Sequence, residues 1–161
     1  MNYTIQIAKE EELPEILQIY AYAREFMAAN GNPNQWGKIN PPREMLEADI
    51  AVQKLYTVRN GDEICGVFFF DVGEDPTYRK IENGAWLSDA PYGTIHRIAS
   101  KGRGGVVAAC VEFCLKKCNH LRIDTHRDNH IMQHVIEKAG FQRRGIIYIA
   151  DGTPRIAYER I

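Results

Sequence analysis

Long apolar runs are missing from this sequence: no stretch approaches the ~20 residues that a membrane-spanning helix requires. An excess of either charge is missing too. Lys and Arg number 20 against 21 Asp and Glu, a formal net charge of -1, which removes the electrostatic footprint expected of a polyanion binder. Neither nucleic acid nor a membrane is therefore expected as a partner. Repeats, linkers and low-complexity segments are absent, and 161 residues suit one domain, 1–161, with a substantial core. The opening Met1-Asn2-Tyr3-Thr4 is polar and strand-like rather than a charged and then apolar leader, so a cytoplasmic location is expected. Cysteine is sparse, at Cys65, Cys110, Cys114 and Cys118. The last three recur every fourth residue beside Val106, Val107 and Phe113 with no fourth ligand nearby, a pattern of small buried hydrophobes rather than zinc thiolates.

What is present is a hydrophobic fraction of 45%, arranged in recognisable periods. Residues 3–8 alternate as a strand with one buried face, and over 11–29 Leu13, Ile16, Leu17, Tyr20, Ala23 and Met27 step by three and four as one helix face. The turn formers of 30–37 end that helix, and Pro41-Pro42 opens a second one reaching about Lys54. Residues 55–60 and 63–72 flank Asn60-Gly61-Asp62 and predict a hairpin. Residues 73–92 read as an irregular excursion with a short strand over 81–87. A strand over 93–100, a glycine turn, a helix over 105–118 and a strand over 121–125 follow. Asp128 or Asn129 caps the last helix, Gly140 stops it, and strands over 141–149 and 156–161 close the chain around Asp151-Gly152-Thr153-Pro154.

The glycine turn carries the first chemical signal. Lys101-Gly102-Arg103-Gly104-Gly105 leaves a strand and enters a helix, exposing backbone N–H groups at the positive end of the helix dipole beside two cations. Phosphate is the natural ligand of such a turn. A dinucleotide site is one reading, since Gly102 and Gly104 match the start of G-x-G-x-x-G and Asp124 follows at a strand end. Val107 at the third glycine position argues against it. A second segment runs from Asn129, opening a helix, through Lys138 to Gly140-Phe141.

Together these two segments resemble the Gcn5-related N-acetyltransferase family, whose members bind acetyl coenzyme A at a Gln/Arg-x-x-Gly-x-Gly/Ala turn. The resemblance implies a single α/β domain with a central mixed, mostly antiparallel sheet of about six to seven strands flanked by about four helices. It also implies transfer of an acetyl group from acetyl coenzyme A to an amine of a small molecule or peptide, by a monomer or homodimer. Its implied cofactor contacts are Ile98, Ala99, Lys101, Gly102, Arg103, Gly104, Gly105, Val106, Asn129, Met132 and Ile136, and its acceptor loops carry Trp36 and Trp86. This chain departs from the pattern at Lys101, at Val106 and above all at Ile136, where the family often has a Tyr that protonates the leaving thiolate. His96, His126 and Glu82 are the candidate bases for the amine, and Tyr148 is a candidate replacement acid. A non-catalytic acyl-coenzyme A binding module is the rival that Ile136 motivates. His130 and His134 share a helix face at metal-like spacing, but lacking a third ligand they predict no metal.

Overall fold

The structure, a computed structural model, describes residues 2–161. Seven strands, β1 (Thr4–Ile7), β2 (Leu55–Asn60), β3 (Glu63–Val72), β4 (Gly93–Ser100), β5 (Leu121–Thr125), β6 (Gln142–Tyr148) and β7 (Pro154–Arg160), form one sheet in the order β1-β2-β3-β4-β5-β7-β6. Every neighbouring pair is antiparallel except β4 and β5. Four α-helices cover it: α1 (Leu13–Ala29), α2 (Arg43–Ala51), α3 (Val106–Leu115) and α4 (His130–Lys138). No helix among the described residues is long and apolar enough to cross a membrane.

The central strand β3 explains the layering. Its apolar run is unbroken from Ile64 to Phe70 except at Gly66, the pattern of a strand covered on both faces. Ile64 and Val67 pack with Leu13, Ile16, Ile19 and Tyr20 of α1 and Leu46 of α2. Cys65, Phe68 and Phe70 point the other way, against Val106, Cys110 and Cys114 of α3 and Ile136 of α4. The cysteine stripe thus lies largely in the core, Cys110 and Cys114 buried and Cys118 half-buried, and Cys65 is buried as well. α2 and α3 each stop about a turn earlier than their sequence periods suggest, at Ala51 and Leu115.

The excursion between β3 and β4 differs from expectation. Residues 81–87 form no strand, only an isolated bridge between Glu82 and Ile146, and a 3-10 turn at Pro76–Tyr78 comes first. The apolar residues that suggested a strand instead lay a lid over β6 and β7: Tyr78, Ile81, Trp86 and Tyr92 pack on Ile147 and Ala157. Burial rather than backbone pairing orders this segment.

Two features of β4 open the sheet. β4 and β5 pair only at Gly93 with Leu121 and Thr94 with Arg122, so the edge of β4 beyond Thr94 has no ladder partner on β5. On its other edge the register with β3 slips between His96 and Ala99, and Arg97 takes a φ of 53°. Both neighbouring helices hold that bulge. The Tyr20 hydroxyl donates to the Arg97 carbonyl at 2.6 Å, and the Arg97 guanidinium rests on Asp49 of α2 at 2.8 and 3.0 Å.

Candidate active site

Two cavities meet at this opening. One, of about 390 Å³, runs between α1, the end of β4, the glycine turn and α4. The other, of about 430 Å³, lies between the 35–42 loop, the middle of β4, β5 and the β6–β7 connection. Met27, Ile98, Asn129 and Met132 line both, so a ligand in one can reach a ligand in the other.

The first cavity is flanked by main-chain amides with no partner among the described residues. Among the described residues the backbone N–H groups from Gly102 to Ala108 find no acceptor in the chain; the amides on either side do, Lys101 on the Cys65 carbonyl at 3.0 Å and Ala109 on the Gly105 carbonyl at 3.0 Å. Gly102 and Gly105, at φ +81° and +83°, supply the left-handed turns that aim these amides outward, and no side chain caps α3. A Cβ built on Gly104 meets nothing within 4 Å, which leaves the main chain there open to a ligand. Tyr3 holds the turn from behind by donating to the Gly104 carbonyl at 2.7 Å. Ala99, Arg103 and Val106 also line this cavity, although Arg103 is paired with Glu63 at 2.6 Å. Lys101 lines neither cavity. The fit to a pyrophosphate therefore rests on main-chain amides, which tolerate the Lys101 and Val106 departures. Gly104→Val is expected to fold normally and to lose coenzyme A binding at least tenfold, because its branched side chain fills the open approach. Calorimetry showing parent-like affinity would put the cradle elsewhere.

Asn129 stands at the junction, buried, with its Oδ1 accepting from the Met132 amide at 3.0 Å and its Nδ2 donating to Gln35 Oε1 at 2.9 Å. It is both the α4 cap and the tie to the 30–37 loop. Asn129→Ala is expected to cost about 0.5–2 kcal/mol as a lost cap and to loosen that loop. Chemical unfolding checks the first effect; coenzyme A stabilising variant and parent equally would limit Asn129 to capping.

In the second cavity His96 is the titratable side chain held between two carboxylates. Its Nε2 lies 2.8 Å from Asp75 Oδ2 and its Nδ1 3.9 Å from Asp124 Oδ2. Burial alone would raise the Asp75 carboxyl, but the His96 contact and the Thr77 amide outweigh it and hold the group down to about 2. An ionised Asp75 can only accept, so Nε2 carries a proton, and in the neutral imidazole Nδ1 is then the acceptor. Tyr78, buried and with its phenol pushed well upward by burial and by Asp124, donates to Asp124 Oδ2 at 2.7 Å. His96 and Asp124 line the cavity, with Asp75 and Tyr78 behind them.

The remaining candidates fall in different places. Trp36 lines the second cavity, edge-on to Tyr20 with ring centroids 5.6 Å apart. Trp86 lies outside it, donating from Nε1 to the Tyr78 carbonyl at 2.9 Å beneath the Arg122 guanidinium. His126 lines neither cavity; its Nδ1 accepts from the Asp128 amide at 3.0 Å, and burial and the Arg155 charge lower its pKa. Glu82 and Tyr148 meet each other at 3.0 Å away from both cavities, the carboxyl lowered and the phenol raised by that bond. Ile136 is 1% exposed in the core and lines neither cavity. No sequence pattern singles out Asp75, Tyr78, Gln35 or Arg155, and Asp124 enters only as the acidic residue of the dinucleotide reading. Asp75-Pro76-Thr77 carries a turn-capping signal, and Asp75 does accept from the Thr77 amide, but nothing local points it at His96.

No family model matches the sequence, and no curated protein does. Solved structures do match. A GNAT-family acetyltransferase from Streptococcus agalactiae superposes with a TM-score of 0.87 at 29% identity, over 99% of this chain and 95% of that one. An aminoglycoside N(6')-acetyltransferase from Legionella pneumophila gives 0.69 at 14% identity, over 99% and 93%. The NatC complex bound to Gag peptide and coenzyme A gives 0.63 at 14% identity, over 99% and 98%. At such low identity the last two show the fold alone.

Proposed function

We propose that this chain, an acyltransferase of the Gcn5-related N-acetyltransferase family, takes an acetyl group from acetyl coenzyme A in the first cavity and delivers it to an amine in the second. The observation that carries this reading is the meeting of the two cavities at the unpaired edge of β4, one lined by free amides and the other by His96 and Asp124. The likeness to the GNAT-family acetyltransferase from Streptococcus agalactiae supports an acetyl donor. Bound acetyl coenzyme A supplies a thioester carbonyl for the amine to attack.

The residues of this chain do the rest. The amides from Gly102 to Ala108 hold the pyrophosphate, and Ile98, Ala99 and Met132 line the path towards the second cavity. Asp124 attracts the protonated amine, and His96 Nδ1 takes its proton, because an amine with a pKa near 10.4 is otherwise almost wholly protonated at pH 7. Asp75 keeps the proton on Nε2 and stabilises the imidazolium that forms. The amine nitrogen then gains its bond to the acetyl carbon as the carbon–sulfur bond breaks, and its second proton passes to the departing thiolate as the amide forms. Position 136 offers no proton for the sulfur, since Ile136 has none and is buried in the core. Calorimetry with acetyl coenzyme A, followed by thiol release across a panel of amines, tests the reading. Binding with no thiol released by any amine would make the chain a binding module instead.

A further inference from the structure

Arg155 is a buried cation with no carboxylate within ion-pair distance. It is only 5% exposed, and its hydrogen bonds all go to neutral oxygens: Nη1 donates to Thr153 Oγ1 at 3.3 Å and the Pro154 carbonyl at 3.0 Å, and Nη2 donates to the Gln35 carbonyl at 3.0 Å. The other guanidinium groups held inside the fold rest on carboxylates, Arg97 on Asp49 and Arg122 on Glu159. Removing a charge from water is costly, and burial lowers the Arg155 pKa, while Asp124 and Asp151 on the same cavity oppose that shift from beyond ion-pair distance. Arg155 lines the second cavity, together with His96 and Asp124. One cavity thus presents a buried cation bonded only to neutral oxygens and, with it, a carboxylate beside a base.

Resting on the acetyl-transfer reading above, we propose that the acceptor is a free amino acid, whose carboxylate pairs with Arg155 while its amine lies at Asp124 and His96. A guanidinium fork matches a carboxylate bidentately, and the zwitterion would compensate both protein charges at once. A peptide N-terminus or a simple amine offers no carboxylate at that place. The Trp36 and Met45 side chains are left to face the amino acid's own side chain.

The test compares the common amino acids with their carboxamides and with the matching decarboxylated amines, reading thiol release from acetyl coenzyme A and, separately, thermal stabilisation by each compound alone. At least one amino acid is expected to exceed its carboxamide in kcat/KM by roughly 100-fold or more, mostly through KM, since the analogue leaves a buried charge unpaired. Arg155→Met should collapse that ratio to near one. Arg155→Lys, which keeps a charge and loses the fork, should recover part of it, with acetyl coenzyme A binding reporting that both variants are folded. Carboxamides or simple amines used as well as amino acids would overturn the proposal and leave acetyl transfer standing. Failure of the parent to bind acetyl coenzyme A would overturn the underlying reading instead. The thermal arm would still decide between an amino-acid site and none.

Discussion

His96→Gln is expected to lower turnover at neutral pH by roughly 10²–10⁴-fold while leaving acetyl coenzyme A affinity unchanged. The substitution separates two roles of the same side chain. Glutamine can still donate to Asp75 and fill much of the ring's space, but it has no basic nitrogen for the amine proton. His96 itself does much to hold the parent's Asp75 carboxyl down; in the variant the Thr77 amide still favours the carboxylate, which a glutamine at 96 can meet as a donor. The deficit should shrink as pH rises towards ~10, where the acceptor amine loses its proton unaided and a base becomes unnecessary. Turnover within roughly threefold of the parent at every pH would remove His96 from the chemistry. The 3.9 Å between Nδ1 and Asp124 Oδ2 is too long for a direct hydrogen bond, which leaves that nitrogen free for the amine's proton.

This site was only partly legible in the sequence, and distance along the chain decides which part. The anion cradle is local: one turn of glycines, one helix start and the Asn129 cap state their geometry within a few residues, so the sequence pattern and the structure agree there. The same holds for the sheet, whose β3 run and hairpin turns are read from neighbours. His96 was visible as a histidine near the turn, but its partners were not. Asp75 is 21 residues away and lies on the irregular excursion, and Tyr78 reaches Asp124 across 46 residues. The excursion itself was misread because its apolar residues, spaced like a strand's, are buried by packing on β6 and β7 rather than by a ladder. Arg155 sits in a strand pattern where a polar residue ordinarily faces water; only the loop folded over it, with Gln35 at its Nη2, makes it buried. Glu82 and Tyr148 found each other, which satisfies both without bringing either to a cavity.

Glu159→Ala is expected to destabilise the fold by about 3–5 kcal/mol, a large share of the ~5–15 kcal/mol available to a domain. Glu159 is fully buried and serves three donors at once. Its Oε2 meets His120 Nε2 at 2.6 Å and Arg122 Nε at 3.3 Å, and its Oε1 accepts from the Leu87 amide at 2.6 Å. Removing it strands a buried guanidinium, which costs more than the pair contributes by being present. Glu159→Gln, keeping the shape and one acceptor oxygen, should lose less. The consequence extends to the site, because Arg122 also donates to the Ser88 carbonyl at 2.8 Å and lies 4.0 Å over the Trp86 ring and 3.9 Å over that of Tyr92. Trp86 in turn bonds the Tyr78 carbonyl, and the Tyr92 hydroxyl accepts from the Asp75 amide at 2.8 Å. The buried carboxylate therefore fastens the lid that carries Asp75 and Tyr78 to the back of His96 and Asp124. Denaturant unfolding measures the first effect. A Glu159→Ala protein within about 1 kcal/mol of the parent would mean that Arg122 finds another partner, and that the lid is held by its aromatic packing alone.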